Sequence, residues 1–191
     1  MKSYVWNSLT LSIEKQPIDD MNYFTDIPHH INDNIVSVVE IPRGSNAKYE
    51  YNTKFGFFEL DRCLITAMNY PANYGFIPQT LGEDGDPLDC IIFTDVPLQC
   101  GTVVTGKAIA VLKMTDKGIR DDKILIVPKF NKRYNDYKEI KREYLEVYAD
   151  FFQNYKNLTS KNVTVYGWSN RNVANKIITK SVTRFEKRIN L

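Results

Sequence analysis

The sequence predicts a mainly β domain with some α-helix: a closed or nearly closed antiparallel barrel flanked by two main helices. From residue 35 onward, short runs rich in Val, Ile, Phe and Tyr are separated by Gly, Pro, Asn and Asp, a pattern typical of many short strands joined by turns. Two later segments repeat apolar residues at intervals of three and four, the spacing of an amphipathic helix. A length of 191 residues, 43% of them hydrophobic, suits one compact domain.

Residues 1–34 are predicted to form an N-terminal arm that packs on the core or contributes to an interface. Apolar residues alternate only weakly along this arm, and a turn-rich stretch, DIPHHINDN, ends it. Residues 35–191 are predicted to hold the barrel and the C-terminal helices. The predicted strands are IVSVVEI (35–41), AKYEYN (47–52), FGFFELD (55–61), LITAM (64–68), CIIFTDV (90–96), TVVTGKAIAVLKM (102–114) and KILIVP (123–128).

The two helices are predicted over residues 132–155 and 170–185. The apolar face of the first is formed by Tyr144, Val147, Tyr148, Phe151 and Phe152. The apolar face of the second is formed by Val173, Ile177, Ile178 and Val182. Both faces are expected to pack against the barrel.

Charge and cysteine content exclude several classes of protein. The balance of 25 Lys+Arg against 23 Asp+Glu gives a net charge of +2, without the basic excess of a chain that coats nucleic acid. The three cysteines are odd in number and form no CxxC pair, which favours a reducing, cytoplasmic compartment. The N-terminus lacks the apolar run of a signal peptide, and no stretch reaches the length of a membrane span.

An acidic segment, LGEDGDPLD, lies between two strand-like runs. Gly85 and Pro87 give its backbone a tight path, so the carboxylates of Asp84, Asp86 and Asp89 can converge on one side of a loop. Converging carboxylates repel one another unless cations lie between them, and oxygen ligands select Mg²⁺, Mn²⁺ or Ca²⁺. A solvated acidic turn is the alternative for this segment alone. An EF-hand loop is rejected because its sixth position requires glycine.

A second acidic group, Asp116, Asp121 and Asp122, falls between two predicted strands and therefore lies in a hairpin loop. This loop could face the first acidic segment across the mouth of a barrel. A phosphate-binding centre also needs cations and hydrogen-bond donors. Candidates for that role are Lys48, Arg62, Lys123, Lys156, Tyr74 and Tyr155.

Taken together, these motifs closely resemble the family I soluble inorganic pyrophosphatases, in the order and approximate spacing of that family. The resemblance runs from about residue 35 to the second helix. The residues that carry it are Glu40-Ile-Pro, Lys48-Tyr-Glu50, Asp61-Arg62, Tyr70-Pro-Ala-Asn-Tyr74-Gly75, Asp84-Gly-Asp86-Pro-Leu-Asp89, Lys113-Met-Thr-Asp116 and Tyr155-Lys156.

The resemblance implies a fold and a set of residue roles. The expected fold is a distorted five-stranded OB-like closed barrel with the site at its mouth, so residues 35–191 would be the catalytic domain. Asp86 falls on the central aspartate of the family, which handles the proton of the attacking water. The metal-binding aspartates fall on Asp84, Asp89, Asp116 and Asp121. The substrate-binding groups fall on Lys48, Arg62, Tyr74, Lys123, Tyr155 and Lys156, with Glu40 and Glu50 in supporting positions.

The implied activity is hydrolysis of inorganic pyrophosphate to two phosphates by a metal-activated water. Several Mg²⁺ ions per site are expected, with Mn²⁺ as a substitute, and the family forms homo-oligomers, either dimers or hexamers. One position departs from the family pattern: Lys117 follows Asp116 where many members have a second acid. Asp116 and Asp121 keep their spacing and are therefore retained as ligands.

Two rival functions belong to other classes. An OB barrel can bind single-stranded nucleic acid through basic grooves and aromatic platforms, and the chain has 12 Tyr and 10 Phe. The dense acid at the expected mouth would repel a phosphate backbone, so no nucleic-acid partner is expected. No membrane partner is expected either, because no stretch reaches the length of a membrane span. The other rival is a catalytically silent family member acting as an interaction module. It is disfavoured because every matched position carries a competent side chain.

Overall fold

The computed structural model describes residues 21–159 and 162–189. Its helices are α1 (Arg142–Asn154) and α2 (Arg171–Ile189). Its strands are β1 (His30–Ile31), β2 (Asn34–Ile41), β3 (Ala47–Asn52), β4 (Phe57–Cys63), β5 (Asn73–Ile77), β6 (Leu88–Ile92), β7 (Val103–Asp116), β8 (Ile119–Arg120), β9 (Lys123–Pro128) and β10 (Val163–Asn170).

Five strands close into a barrel, which confirms the predicted fold class. The hydrogen-bonded order is β2, β5, β6, β9 and β7, and β7 pairs with β2 to complete the circle. The long strand β7 reaches beyond the closure and pairs there with β8 and β10. The hairpin of β3 and β4 is a separate two-stranded sheet. Closure removes unpaired strand edges from these five strands.

Both faces of the barrel strands are covered. Along β9, Leu125 and Val127 belong to a core cluster that includes α1, whereas Ile124 and Ile126 belong to a cluster that includes α2. This alternation follows from the two-residue period of a strand. Six buried residues in a row (KILIVP) therefore need cover on both sides, and the two helices supply part of it, as the sequence predicted.

The predicted strand over residues 64–68 is wrong. This segment is irregular because its flanking backbone groups bond to another loop rather than to a strand. The N–H of Leu64 donates to the carbonyl of Asn46 at 2.8 Å, and the N–H of Tyr70 donates to that of Ser45 at 2.9 Å. The segment therefore returns the chain from the hairpin to the barrel.

Four of the described strands were not predicted. Two of them, β1 and β8, are only two residues long, and the longer β5 and β10 each contain residues typical of turns. In β5, a Cβ atom at Gly75 would lie 1.9 Å from the carbonyl oxygen of Val38, so glycine permits close approach of β2. In β10, Gly167 has φ +100° and follows a shift in the pairing with β7, the signature of a bulge.

Two further expectations need correction. The barrel is not wholly antiparallel, because β6 and β9 pair in parallel, with Cys90 opposite Ile124. The first helix starts at Arg142 rather than near residue 132. Ile140 has ψ 138° and Lys141 has ψ 133°, so extended backbone separates the helix from a preceding 3₁₀ turn.

Residues 21–34 contact the core. Phe24 and Ile27 are buried beside Phe185 of α2, and the Phe24 and Phe185 rings meet edge to face at 5.1 Å. The rest of the predicted arm, residues 1–20, lies outside the described residues. Within the described ranges, neither helix has the length and apolarity that a membrane crossing requires.

The turn between β7 and β8 carries Lys117 in an unfavourable conformation. Asp116 pairs with Ile119, leaving Lys117 and Gly118 as a two-residue loop with φ +50° and +82°. Positive φ at both positions is the type I′ turn, which favours Asn-Gly. Lys117→Asn is expected to raise the free energy of unfolding by about 0.5–1 kcal/mol, measured by urea denaturation. Lys117→Ala removes the same charge, but alanine lacks the preference of asparagine for positive φ. An equal gain of stability in Lys117→Ala would therefore contradict the explanation by turn conformation.

Candidate active site

A cavity of about 220 Å³ opens where the β3–β4 hairpin, the loop before β6, the β7–β9 connection and the end of α1 meet. It gathers twelve of the thirteen residues that the sequence singled out, and they come from separate parts of the chain. The twelve are Glu40, Lys48, Glu50, Tyr74, Asp84, Asp86, Asp89, Asp116, Asp121, Lys123, Tyr155 and Lys156.

The acidic loop before β6 is held in a tight turn. The N–H of Gly82 donates to the carbonyl of Asp86 at 2.7 Å, and the N–H of Asp86 donates to Oδ1 of Asp84 at 3.1 Å. The side chain of Asp86 makes no hydrogen bond to the described residues and is left facing the cavity. Asp89 lies on β6, opposite Phe76 of β5.

Burial shifts the proton affinity of this loop. It raises the pKa of Asp84 and of Asp86 above the ordinary aspartate value, and neighbouring carboxylates add to the shift. For Asp86 the next cause is the charge of Asp84. A carboxylate whose pKa is raised is a stronger base than an ordinary aspartate.

The second acidic group divides into residues that face the cavity and one that does not. Asp116 ends β7 and Asp121 precedes β9, and both line the cavity. Asp122 is buried elsewhere: its Oδ1 accepts the N–H of Met114 at 2.9 Å and lies 3.7 Å from Arg120. Asp122 therefore braces the hairpin.

Lysines neutralise the carboxylates from within the protein. The ammonium of Lys123, whose side chain is only 2% exposed, bonds to both Asp89 and Asp121. Burial alone would lower the pKa of Lys123, but the charges of Asp89 and Asp121 raise it by a larger amount. The pKa of Lys123 therefore lies above the ordinary lysine value. Lys156 likewise bonds to Asp116.

The supporting glutamates differ in environment. Lys48 pairs with the half-exposed Glu50 and lies 3.2 Å from Asp61. Glu40 is buried, and its Oε1 accepts the N–H of Tyr51 at 2.8 Å. Burial, with a contribution from the charge of Asp89, raises the pKa of Glu40 to about 8.

This shift predicts a pH-dependent gain of stability for Glu40→Gln in the metal-free protein. In the folded parent the carboxyl is neutral below about pH 8, whereas in the unfolded chain it ionises near its ordinary value. The parent therefore loses stability as pH rises between those two values. The amide avoids this loss and keeps an oxygen for Tyr51. Urea denaturation should show that Glu40→Gln is more stable than the parent at pH 8.5 and similar to it at pH 5. An equal difference in stability at the two pH values would contradict the raised pKa of Glu40.

Arg62 is the one predicted residue that does not line the cavity. It lies opposite Lys48 in the β3–β4 hairpin, and its guanidinium bonds to Asp61. Its side chain is 42% exposed. The hairpin therefore places Arg62 beside the cavity, with its guanidinium held by a neighbour on the same strand.

The tyrosines form the apolar wall. Tyr155 stacks on Phe151 at 5.1 Å, and Tyr74 packs against Phe152 at 5.6 Å. Burial raises the pKa of Tyr74 well above the ordinary tyrosine value, so its hydroxyl keeps its proton. The cavity also contains residues absent from the predicted set: Tyr51, Thr53, Tyr70, Phe76 and Pro87. Tyr70 and Pro87 lie inside the quoted motifs, so motif membership could have found them.

The donor set suits hard divalent cations. Asp84, Asp89, Asp116 and Asp121 present carboxylate oxygens to one cavity, and Oδ1 of Asp116 is buried without a hydrogen-bond donor among the described residues. Within residues 21–159 and 162–189, no three His, Cys, Asp or Glu side chains form a ready-made ion-binding group. The ammonium of Lys123 lies between two of the four carboxylates, those of Asp89 and Asp121.

A closed barrel whose cavity combines facing carboxylates with ammonium and phenol groups suits a class of protein that binds phosphate anions together with cations. The family model described as inorganic pyrophosphatase matches residues 37–186. The inorganic pyrophosphatase of Synechocystis sp. is 40% identical over 152 residues, which cover 78% of this chain and 90% of that protein. The chain therefore belongs to the inorganic pyrophosphatase family, whose members are hydrolases of the diphosphate bond.

Solved structures agree with this assignment. The crystal structure of the inorganic pyrophosphatase from Thermus thermophilus matches with a TM-score of 0.82 and 34% identity, covering 87% of this chain and 99% of that one. The Helicobacter pylori inorganic pyrophosphatase matches with a TM-score of 0.79 and 36% identity, covering 84% and 98%. These likenesses establish the OB-like barrel for this chain.

Proposed function

We propose that this chain hydrolyses inorganic pyrophosphate to two phosphates in a reaction that depends on Mg²⁺. The observation that supports this most is the convergence of twelve predicted residues on one cavity of about 220 Å³. That volume suits a small inorganic anion with its counter-ions better than a nucleotide, since pockets for drug-sized ligands begin at about 300 Å³. The carboxylates and lysines around it supply both signs of charge that such a reaction needs.

Asp84, Asp89, Asp116 and Asp121 would hold the divalent ions, because carboxylate oxygens are the ligands that Mg²⁺ and Mn²⁺ prefer. When bound, such ions lower the pKa of an attacking water and neutralise charge on the phosphates. The unpartnered Oδ1 of Asp116 and the internal pairing of Asp89 and Asp121 with Lys123 support this assignment.

Asp86 would orient the attacking water and accept its proton. Its carboxylate lines the cavity and makes no hydrogen bond to the described residues, so both oxygens are available to water. The tight turn from Gly82 to Asp86 fixes its position. A base held in place in this way contributes through orientation as well as through proton affinity.

The opposite wall would bind the phosphates. Lys48 and Lys156 present ammonium groups, and Tyr74 and Tyr155 present phenols. Positioning and charge neutralisation supply most of the rate in phosphoryl transfer. Lys123 would both bind substrate and offset the repulsion between Asp89 and Asp121 when no ion is bound. Glu40 and Glu50 would act through neighbours, Glu50 by holding Lys48.

The decisive experiment measures phosphate release from pyrophosphate by the purified full chain, with Mg²⁺ and with EDTA. We expect that phosphate release requires Mg²⁺ and that it disappears in the Asp84→Asn variant. A matched variant, Asp33→Asn, removes an exposed carboxylate outside the cavity and should behave like the parent. Binding of single-stranded DNA or RNA without phosphate release would favour the nucleic-acid alternative and overturn the proposal.

Arg62→Ala is expected to weaken binding of phosphate more than binding of Mg²⁺. The guanidinium lies beside Lys48 but contacts only Asp61 in the described part of the chain, so it can turn to a phosphate without disturbing a metal-binding carboxylate. A loss of roughly 1.5–3 kcal/mol is expected for a charge-assisted hydrogen bond. Calorimetric titration with each ligand separates the two affinities. Equal loss of both would assign Arg62 a structural role instead.

The remaining parts of the proposal concern organisation. The family match over residues 37–186 supports a catalytic domain at residues 35–191. We also propose that the protein forms homo-oligomers, dimers or hexamers, and works in the cytoplasm. Light scattering of the full chain would test the proposed oligomeric state.

A further inference from the structure

A second cavity lies behind the acidic loop, between that loop, the β7–β9 connection and α2. Its volume is about 260 Å³. Asp84, Pro87, Asp89 and Asp121 line both this rear cavity and the catalytic cavity. One wall of backbone and side chains therefore separates the two spaces.

The rear cavity contains cations without carboxylate partners. Five basic side chains line it, and two of them are already engaged: Arg120 lies 3.7 Å from Asp122, and Arg184 lies 3.2 Å from Glu83. Among residues 21–159 and 162–189, the other three, Lys113, Lys176 and Lys180, form no ion pair.

Four of the five acids in the same walls have a basic partner. Asp89 and Asp121 share the buried ammonium of Lys123 on the catalytic side. Asp84 accepts the backbone N–H of Asp86. With Glu83 and Asp122 paired to arginines, two uncompensated negative charges remain against the three free ammonium groups. Five acidic and five basic side chains line the rear cavity. Because Lys123 adds one more positive charge from the catalytic side, the sum is an excess of one positive charge.

We propose that the rear cavity binds a phosphate-type anion between Lys113 of β7 and the pair Lys176 and Lys180 of α2. A tetrahedral phosphate offers enough acceptor oxygens for three ammonium groups, whereas a carboxylate offers only two oxygens. The volume of about 260 Å³ suits inorganic phosphate or pyrophosphate better than a nucleotide, since pockets for drug-sized ligands begin at about 300 Å³. This site is separate from the proposed catalytic function and does not depend on it.

Occupancy of the rear cavity would act on the acidic loop. The N–H of Leu81 donates to the carbonyl of Ser181 at 2.9 Å, and Arg184 donates to the carbonyl of Leu81 at 2.9 Å. Helix α2 thus anchors the loop that presents Asp84 and Asp86. An anion held by α2 competes with Glu83 for Arg184 and changes the environment of that loop.

The test is a titration of the metal-free, ¹⁵N-labelled full chain with inorganic phosphate, followed by amide chemical shifts. Saturable shifts are expected at residues 176–184, at Lys113 and at Gly82 and Gly85. Lys176→Gln/Lys180→Gln should weaken this binding by roughly tenfold or more, because two charge-assisted contacts are lost. Lys138→Gln/Lys187→Gln removes the same charge from exposed positions outside the cavity and should leave the affinity unchanged.

Three outcomes would overturn the proposal. One is the absence of saturable shifts at α2, whether or not shifts at Lys48 and Tyr155 show that phosphate has entered the catalytic cavity. Another is equal weakening by both double variants, which would indicate general charge screening. The third is adenosine monophosphate binding at α2 as tightly as phosphate, which would contradict the size limit. Hydrolysis of pyrophosphate is not used as a readout, so failure here leaves the proposed activity untouched.

Discussion

Asp86→Asn is expected to slow hydrolysis of pyrophosphate by roughly 10²–10⁴-fold, the range for removal of a general base. The amide has the shape of the carboxylate but cannot accept a proton. The turn around it should persist, because the hydrogen bonds at this position use the backbone N–H and carbonyl of Asp86 and not its side chain. Initial rates of phosphate release at saturating Mg²⁺ and pyrophosphate measure the effect on turnover.

Two further measurements separate the proton-handling role of Asp86 from a structural one. Calorimetric titration with Mg²⁺ should give an affinity close to that of the parent, and the urea midpoint should not fall. Asp95→Asn serves as the matched control. Asp95 is exposed, and its side chain makes no hydrogen bond or ion pair with the described residues. Turnover by Asp86→Asn at the parental rate would remove Asp86 from the mechanism.

The sequence predicted the fold where a strand's residues and its burial agree. The segment AKYEYN and the run KILIVP became strands with the predicted bounds. The sequence-based prediction was wrong where contacts with a distant part of the chain decide the conformation. Leu64–Met68 reads as a strand, but its neighbours bond to residues 45 and 46. Gly75 reads as a turn, yet only a residue without a Cβ fits against Val38.

The candidate site was more predictable than its geometry. Carboxylates, lysines and tyrosines could be chosen by chemistry and spacing, because each must meet phosphate or a cation. Sequence alone could not show that the Arg62 guanidinium bonds to the adjacent Asp61 instead of lining the cavity, since the direction of a long, partly exposed side chain is set by its surroundings in the folded protein. The rear cavity was equally invisible, because Lys113 and Lys180 meet only through tertiary packing of α2.

Lys123→Met is expected to destabilise the metal-free protein and to increase its dependence on divalent ions. The ammonium is 2% exposed and bonds to Asp89 and Asp121, whose side chains are 26% and 15% exposed. Removing it leaves two facing carboxylates without a cation. Loss of one partner from a buried ion pair costs about 3–5 kcal/mol, and access of water to the cavity reduces this to about 2–4 kcal/mol. Thermal unfolding in EDTA should therefore begin roughly 5–15 °C lower than in the parent.

Added Mg²⁺ distinguishes electrostatic repulsion from a packing defect. A divalent ion between Asp89 and Asp121 replaces the missing charge and, in the variant, meets no competing ammonium. Because a ligand that binds only the folded state stabilises it by mass action, Mg²⁺ should raise the melting temperature of Lys123→Met more than that of the parent. Lys187→Met, an exposed lysine on α2, should match the parent in EDTA and in Mg²⁺. If Mg²⁺ raised all three melting temperatures equally, the lysine would not be standing in for the cation, and the assignment of Asp89 and Asp121 as ligands would lose its support.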